Sequence, residues 1–220
     1  MDREKAKKLY QKALHYIKEA KPDELNWVKQ ISGATLDGIT TKEFLTEYCW
    51  VVYCSGFRVK VIQNKFGSLK KSFRNFDSRK LYGMRSLNAP LMVFNNEKKA
   101  SCFLRGAKMV YEEGFPNFKR RLKKEGMDAL SELPGIGEIT KKHLARNIGL
   151  LDTAKDDIWL RRVAKHLNAS GTQELSNYLS KNCSEKRGVV DLVIWRFCSD
   201  KGWKEYNATS LSDFIQNLDA

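Results

Sequence analysis

The sequence has few of the residues that mark metal-binding or disulfide-bonded proteins. It contains five cysteines and three histidines, all widely spaced, and it has no C-x-x-C pair. This spacing argues against a zinc site and against an iron–sulfur cluster. We therefore expect free thiols in a reducing compartment, with no metal and no cofactor. The residues concerned are Cys49, Cys54, Cys102, Cys183, Cys198, His15, His143 and His166.

Long apolar runs are also lacking. No stretch approaches the roughly 20 residues that cross a bilayer. The first segment, MDREKAKKLYQKALHYIKEA, is charged throughout, unlike a secretory signal. Hydrophobic residues still make up 42% of the 220 residues, which is enough for a folded core. We predict a cytoplasmic, nucleoid-associated protein, or a nuclear one in a eukaryote, without a membrane partner.

Acidic residues are the minority among the charged ones. The chain has 40 Lys and Arg against 26 Asp and Glu, which gives a formal charge of +14. Such a surplus repels itself unless a polyanion is bound, and nucleic acid is the first candidate. An anionic membrane is the second candidate, and a surface that is merely basic stays open. The basic run 119–124 (KRRLKK) either extends a phosphate track or forms a solvated helix face.

Strand-like alternation is absent, and only four prolines interrupt the helical periodicity. The pattern predicts an all-α fold without internal repeats. A buried helix over 42–54 is predicted despite its β-prone Val51-Val52-Tyr53. Predicted helices cover 3–20, 42–54, 58–66, Ser68 to Asn75, 97–113, a basic segment from Pro116, both flanks of 133–137, Asp156 or Asp157 to Leu167, 172–182, 186–201 and 210–217.

The most informative segment is Leu133-Pro134-Gly135-Ile136-Gly137, which joins two helical patterns. Pro134 ends the first helix because a residue before proline avoids helical backbone. Gly135 and Gly137 permit positive φ and carry no side chain, so a phosphate could approach the main chain closely. The second helix would begin at about Glu138, so its free N–H groups would point into the turn.

Side chains around this turn fit the same interpretation. Ile136 would fill the core between the two helices, and Leu133 closes the first one. Thr140, Lys141 and Lys142 follow in the first turns of the second helix, where they could reach flanking phosphates. An ordinary corner built from proline and glycine is the alternative. Together with the net charge, the extended pattern favours a hairpin that grips DNA without reading its sequence.

Asp157 is the second informative residue, twenty positions after Gly137 (157 minus 137) and close to a predicted helix start. A carboxylate there could stabilise an oxocarbenium-like sugar and activate water while a base–sugar bond breaks. The alternative is that Asp156 or Asp157 only caps the helix, which aspartate does well. Spacing alone leaves both interpretations open. Arg161, and its neighbour Arg162, could contact the DNA.

Residues 130–165 resemble the helix-hairpin-helix (HhH-GPD) DNA glycosylase superfamily, in particular its small members without an iron–sulfur cluster. The sequence LPGIG matches the hairpin of that family. AKDDIWLRRVA is similar to the segment that holds its invariant aspartate, and the match places Asp157 at the catalytic position. The resemblance is weaker over 45–125. Asp157 and the hairpin are thus the two features that carry it.

The resemblance implies a two-lobed helical glycosylase fold with a central cleft, formed by residues 1–220 as one unit. One lobe would span 30–125. The other would span 126–220 and carry both the hairpin and the catalytic aspartate. Residues 1–29 and the C-terminal helices would pack on this second lobe.

The resemblance also implies an activity. A monomer would flip a damaged or modified base out of double-stranded DNA and hydrolyse its N-glycosidic bond, in base excision repair or against foreign modified DNA. The loop after the 42–54 helix (Ser55-Gly56-Phe57) would fill the gap in the duplex, with Phe57 as the wedge. Trp50 and Trp159 are candidates for the base pocket. Core packing is the alternative for each of these three aromatic residues.

Two positions depart from the family pattern. Ile139 stands where bifunctional members carry a lysine nucleophile, so the chain is predicted to be monofunctional and to use water. Trp159 stands where a histidine is usual. Two other functions stay open: a non-catalytic helix-hairpin-helix DNA-binding protein, and a bifunctional glycosylase/lyase with a relocated lysine. The sequence does not identify the excised base.

Overall fold

The computed structural model describes residues 1–33 and 36–200, and the regular structure there is helical. No strand forms within these residues, which confirms the predicted all-α class. Short 3-10 turns cover Leu36–Gly38 and Arg74–Phe76. The helix predicted over 210–217 lies outside the described residues. The α-helices of this part of the chain are α1 (Arg3–Ala20), α2 (Pro22–Gly33), α3 (Thr41–Cys54), α4 (Val59–Ser72), α5 (Ser78–Tyr82), α6 (Asn88–Val93), α7 (Glu97–Glu113), α8 (Phe115–Glu125), α9 (Met127–Ser131), α10 (Glu138–Asn147), α11 (Ile158–His166), α12 (Thr172–Asn182) and α13 (Arg187–Asp200).

One predicted helix boundary is wrong. The sequence favoured a break near Gly67 with Ser68 as a new cap, whereas α4 runs unbroken from Val59 to Ser72. Ile62 and Leu69 are both fully buried and stand seven residues apart, on one face of the helix. Burial of that face offsets the roughly 1 kcal/mol that a glycine costs inside a helix. None of the described helices is long and apolar enough to cross a membrane.

The chain divides into two compact units, and the boundary differs from the predicted one at 125/126. Among the described residues, 36–151 form the central unit, and 1–33 with 152–200 form the terminal unit. The hairpin therefore belongs to the central unit and Asp157 to the terminal unit, instead of sharing one lobe. The physical reason is that α10 packs on α3 and α9, which ties the hairpin to the central core.

The central unit is built around a cluster of aromatic rings. Phe103 of α7 lies at its centre, with ring centroids of Phe73, Phe76 and Tyr48 at 4.7, 5.4 and 5.6 Å. All four side chains are fully buried. The α3 helix forms as predicted, because a capping box starts it: the Glu43 N–H donates to the Thr40 hydroxyl at 3.2 Å. Its buried face then supplies Tyr48 to the cluster.

The terminal unit joins both ends of the described chain. Helix α1 starts at an Asp2 cap, and its buried stripe of Leu9, Ala13 and Ile17 faces a separate core. Helices α1 and α2 both pack on α13, whose residues are mostly buried. This packing brings the N-terminal helices together with the segment that carries Asp157. Burial of α13 between its neighbours fits its central run of apolar residues, Val189, Val190, Leu192, Val193 and Ile194.

Tyr48 connects the aromatic core to the hairpin. Its hydroxyl lies 2.6 Å from the Pro134 carbonyl oxygen and 3.0 Å from that of Cys102. The ring passes directly over Gly106, where an added Cβ would lie 2.1 Å from the hydroxyl oxygen. Gly106 therefore makes room for Tyr48, and Tyr48 fixes the turn at Pro134.

We expect Tyr48→Phe to lower the free energy of unfolding by about 1–2 kcal/mol, because the buried Pro134 carbonyl loses its donor. Tyr53→Phe is the matched control. The Tyr53 hydroxyl is buried and has no hydrogen-bond partner among the described residues, so its removal should be neutral or stabilising. Urea unfolding of both variants measures the difference. Equal losses would contradict the assigned role of Tyr48.

Candidate functional site

The predicted hairpin is present, with a short first helix. Helix α9 ends at Ser131, and α10 begins at Glu138, where the sequence placed it. Two backbone bonds shape the turn between them: the Leu133 N–H donates to Leu130 at 3.1 Å, and the Ile136 N–H donates to Leu133 at 3.0 Å. Leu133 and Ile136 are both buried in the central core. The predicted packing role of Ile136 is thereby confirmed.

The two glycines of the hairpin differ in what they permit. Gly135 has φ +83°, and an added Cβ would lie 3.1 Å from the Cys102 Cβ and 3.4 Å from a methyl of Val52. Gly137 has φ −120° and ψ −173°, an extended conformation that any residue adopts, and an added Cβ would meet nothing within 4 Å. Of the two glycines that permit positive φ, Gly135 adopts it and Gly137 does not. Gly137 instead leaves the main chain accessible to solvent, because it has no side chain.

The turn presents a set of unused backbone donors. The N–H groups of Gly135, Glu138, Ile139 and Thr140 donate to no acceptor within the described residues. The Gly137 N–H donates to the Thr140 hydroxyl at 2.7 Å, so this threonine stabilises the helix start. Free N–H groups at a helix N-terminus carry partial positive charge and attract anions. The geometry therefore suits an oxyanion at the hairpin.

The hairpin lysines are less available than the sequence suggested. Lys141 forms an ion pair with Glu138 at 2.7 Å, and only 13% of its side chain is exposed. Its predicted phosphate contact would therefore compete with a bond inside the same helix turn. Lys142 is half-buried and has no carboxylate partner among residues 1–33 and 36–200. Backbone N–H groups are consequently the main donors that this turn offers.

A cleft of about 580 Å³ adjoins the hairpin within the central unit. Lys99 closes one side: its ammonium donates to the carbonyls of Val52 at 2.6 Å and Ser55 at 2.7 Å, which caps the C-terminus of α3. Burial lowers the pKa of Lys99. The cleft is lined by Val52, Ser55, Asn96, Lys98, Lys99, Cys102, Gly135, Gly137, Glu138, Ile139 and Thr140.

Phe57 lies just after α3, on a turn that Gly56 makes with φ +77°. Its side chain is 40% exposed. One edge of the ring packs on Phe94 with centroids 5.0 Å apart, and the Lys99 ammonium lies 5.3 Å from the ring centre. Phe57 is thus anchored at its base and open to solvent on the remainder. Its role as a wedge stays a prediction.

The two candidate tryptophans both take part in core packing. Trp50 is half-buried and meets Phe66 edge-on, with ring centroids 5.1 Å apart. Trp159 packs against the core of the terminal unit and carries the guanidinium of Arg162 at 5.2 Å over its ring. The packing interpretation is correct for both residues. Neither lines the cleft beside the hairpin.

Asp157, and not Asp156, caps α11, and its catalytic role stays a prediction. Its Oδ1 accepts the N–H groups of Trp159 at 2.9 Å and Leu160 at 3.0 Å. Its Oδ2 accepts no hydrogen bond from the described residues. The residue is 9% exposed. One carboxylate oxygen is therefore fixed by the helix, and the other is left without a partner in this part of the chain.

Arg161 and the run 119–124 are largely committed to internal contacts. The Arg161 guanidinium donates to both oxygens of Asp156, at 3.0 and 2.9 Å. Lys119 donates to the carbonyl of Asp37 at 2.7 Å, and Lys123 pairs with the Asp37 carboxylate. Arg121 forms ion pairs with three glutamates, Glu113, Glu125 and Glu132. The structural interpretation of the basic run is thereby favoured, and the predicted DNA contact of Arg161 would have to break an ion pair.

Cys198 is buried in the terminal unit and is influenced by Asp157. Burial raises the pKa of its thiol to about 12, and the charge of the Asp157 carboxylate adds to this effect. The thiol therefore stays protonated and is a poor nucleophile. All five cysteines are free thiols in the structure.

Glu47 is a residue of interest that sequence reasoning missed. It lies on α3, and its carboxylate accepts the Asn147 side-chain N–H at 2.8 Å. Burial raises the pKa of Glu47 from 4.5 to about 7, with smaller opposing effects from Asn147 and Arg146. Its position three residues after the buried Phe44 would have placed it on the buried face of α3. The available signal in the sequence was an acidic residue on the apolar face of a predicted helix.

Comparison of this chain with protein-family models, with curated proteins and with solved structures finds no match. The arrangement above therefore rests on the chain's own geometry. The central unit holds a turn with unused backbone N–H groups, and the terminal unit holds a carboxylate with one oxygen unpaired among the described residues.

Gly135→Ala should lower the free energy of unfolding by about 1–3 kcal/mol, because alanine at positive φ is strained and its methyl meets Cys102. Gly137→Ala should change it by less than about 0.5 kcal/mol, since the backbone is extended and the space open. Chemical unfolding of the two proteins compares them directly. A larger loss at Gly137 than at Gly135 would overturn the assignment.

Glu47→Gln tests the buried carboxyl. The folded pKa is raised, to about 7. The Glu47 carboxyl therefore ionises at a lower pH in the unfolded chain than in the folded protein. The free energy of unfolding of the wild type should consequently fall as pH rises from about 4.5 to 7. The loss amounts to at most about 3 kcal/mol. The glutamine variant should lack this slope and be more stable at pH 8, as measured by urea unfolding across pH. Glu112→Gln, at an exposed position on α7, is the control and should keep the wild-type slope.

Proposed function

We propose that this protein is a monofunctional DNA glycosylase. It would flip a damaged or modified base out of duplex DNA and hydrolyse the bond between base and sugar, leaving an abasic site. Three features support the proposal: the resemblance over residues 130–165, the net charge of +14, and the geometry at the hairpin and at Asp157. No metal or cofactor is required for this chemistry.

The observation that carries the proposal is the state of the Asp157 carboxylate. Its Oδ1 is held by two N–H groups at the start of α11, and its Oδ2 has no partner within the described residues. A helix N-terminus favours negative charge and fixes the side chain in one orientation. A preoriented carboxylate with one free oxygen can stabilise positive charge on a sugar or accept a proton from water.

The reaction follows from this arrangement. As the C1′–N bond breaks, its electron pair leaves with the base, and positive charge develops on the sugar ring. The Asp157 carboxylate stabilises that charge and takes a proton from the attacking water, whose oxygen bonds to C1′. The released base is protonated from solvent or from its pocket. The products are a free base and an abasic site.

The hairpin supplies the grip in this proposal. The unused N–H groups of Gly135, Glu138, Ile139 and Thr140 bind a backbone phosphate, and the absence of a side chain at Gly137 lets it approach. Such contacts position the duplex and read no sequence. The central unit thereby holds DNA, while the terminal unit carries the catalytic carboxylate.

The lysines near the hairpin support hydrolysis by water over lyase chemistry. The position of the lysine nucleophile in bifunctional members holds Ile139, which is 39% exposed. Lys99 lines the same cleft, and its pKa is lowered, as a Schiff-base lysine would need. Its ammonium, however, donates to two carbonyls at the end of α3. Lys99 is the candidate nucleophile for a relocated-lysine mechanism, but it would first have to release these two carbonyls.

A non-catalytic DNA-binding protein is the second candidate, and one observation favours it. Capping of α11 fully explains an aspartate at position 157 without any chemistry. The two functions predict different effects for a substitution of Asp157 that preserves the N-cap of α11.

Asp157→Asn should reduce base release by about 10²–10⁴-fold, because asparagine cannot take up the proton or offset the charge. Asparagine caps helices as well as aspartate does, so the melting temperature and duplex affinity should stay close to wild type. The measurement is abasic-site formation on duplexes that each contain one altered base. Asp156→Asn is the matched control and should keep full release.

Three results would count against the proposal. Full activity of Asp157→Asn would remove the mechanism. Duplex binding without base release from any substrate in the panel would favour the non-catalytic protein. A covalent adduct trapped by borohydride with an active substrate would establish lyase chemistry, and loss of that adduct in Lys99→Ala would identify the amine.

A further inference from the structure

The positive charge of this chain is concentrated in one segment. Between Glu47 and Glu97 the only acidic residue is Asp77. Residues 58–85 alone contain nine Lys and Arg against that single acid, so their net charge of +8 is more than half of the +14 of the whole chain. The nine are Arg58, Lys60, Lys65, Lys70, Lys71, Arg74, Arg79, Lys80 and Arg85.

The charge of these nine cations is not compensated within the described residues. None of them forms an ion pair with a carboxylate of residues 1–33 and 36–200. Arg161, Lys141 and much of the run 119–124, by contrast, are paired internally. Other unpaired cations of the central unit, such as Lys98 and Lys108, lie elsewhere, but residues 58–85 hold the densest set.

That turn has an unusual backbone. Arg74, Asn75 and Phe76 have φ values of +56°, +55° and +57°, so three successive non-glycine residues are left-handed. Such a conformation costs roughly 1–2 kcal/mol for each residue of this kind. Phe73 and Phe76 hold the turn from both sides, since both rings are fully buried against Phe103 at 4.7 and 5.4 Å.

The anchoring of the two phenylalanines turns Arg74 and Asn75 outward, where both are exposed. Their backbone N–H groups donate to no acceptor among the described residues. Phe73 has φ −90° and ψ 35° and precedes the left-handed Arg74, so the backbone changes hand next to these unused N–H groups. Successive backbone N–H groups at a turn can form an anion-binding concavity. Strain of this kind persists where the surrounding structure enforces it, often at binding sites.

A cavity of about 530 Å³ lies at this turn. Its walls combine the two exposed turn residues with cations from both neighbouring helices: Lys71, Arg74, Asn75, Lys80 and Gly83. No apolar side chain lines it, unlike the face that an interfacial membrane helix presents. The one nearby acid, Asp77, accepts the Lys80 backbone N–H at 3.0 Å and so is committed to capping α5.

We propose that this cavity is a second phosphate-binding site, which holds a backbone phosphate of the same duplex that the hairpin grips. The inference rests on the proposed function only in that its ligand is DNA, and it needs no catalysis. Helix α4 has 14 residues and is therefore about 21 Å long. It begins just after the Phe57 turn and ends at this cavity, so the second contact would lie several nucleotides from the first.

The test replaces two lining lysines, Lys71→Gln with Lys80→Gln, in the Asp157→Asn background. Affinity for an undamaged duplex of about 20 base pairs is measured by fluorescence anisotropy over a range of salt concentrations. We expect the Kd at about 0.1 M salt to rise roughly tenfold, and the slope of log K against log salt to become shallower by about 2, one for each lost phosphate contact. Thermal unfolding of the same protein monitors its fold.

The matched control is Lys12→Gln with Lys18→Gln. Both lysines are exposed on α1 and unpaired with any described carboxylate, so the charge change is equal. This control should keep the wild-type slope. Arg74→Gly is a third variant, which removes a cation and also relieves the left-handed strain. It should weaken duplex binding while the melting temperature stays the same or rises, a combination that simple damage to the fold does not produce.

Other outcomes would overturn the inference. These are a slope for the Lys71 and Lys80 variant equal to that of the control, binding of inorganic phosphate alone with unchanged duplex affinity, or loss of binding only to vesicles of anionic lipid. The two proposals are separated by measuring base release with protein that retains Asp157. Absence of release by that protein would reject the glycosylase activity, even where the lysine exchanges shift the slope. Normal release by that protein with no shift in slope would reject this second site alone.

Discussion

The hydrogen bond between the Tyr48 hydroxyl and the Pro134 carbonyl is the contact on which the central unit's candidate site depends. It joins an aromatic core, which spans α3, α7 and the turn after α4, to the hairpin turn, which Leu133 and Ile136 also anchor in the core. Gly106 makes the contact possible because any side chain there would occupy the space of the tyrosine ring. The same approach of α7 to the hairpin requires Gly135, whose missing side chain would meet Cys102. A buried core therefore sets the backbone geometry of an exposed turn.

Many charged side chains also have a structural role inside the fold. Many of the basic residues that the sequence made conspicuous are used to join parts of the fold: Lys119 and Lys123 hold the segment at Asp37, and Arg161 pairs with Asp156. Nine of the cations without carboxylate partners among the described residues lie within 58–85, on or beside α4 and α5. Net charge indicated a polyanionic partner, but only the pairing pattern indicates which surface would meet it.

The sequence predicted the helical class, the hairpin with Ile136 in the core, the start of α10 at Glu138 and the helix after Asp157. These features depend on local signals, namely periodicity, proline, glycine and capping residues. It failed where long-range packing decides. The continuity of α4 through Gly67 depends on burial of Ile62 and Leu69, and the unit boundary depends on α10 packing against α3. The sequence also did not predict the raised pKa of Glu47 or the left-handed turn at Arg74. Both depend on contacts with residues that are distant in the sequence.

Asp157 starts a helix with one oxygen atom and leaves the other without a partner among the described residues. On the proposed mechanism, replacing that second oxygen by an amide nitrogen ends the chemistry but not the cap. A glycosylase and an inert DNA clamp would then share one fold and differ by a single atom. Descendants of such a chain could exchange one role for the other without passing through an unstable intermediate.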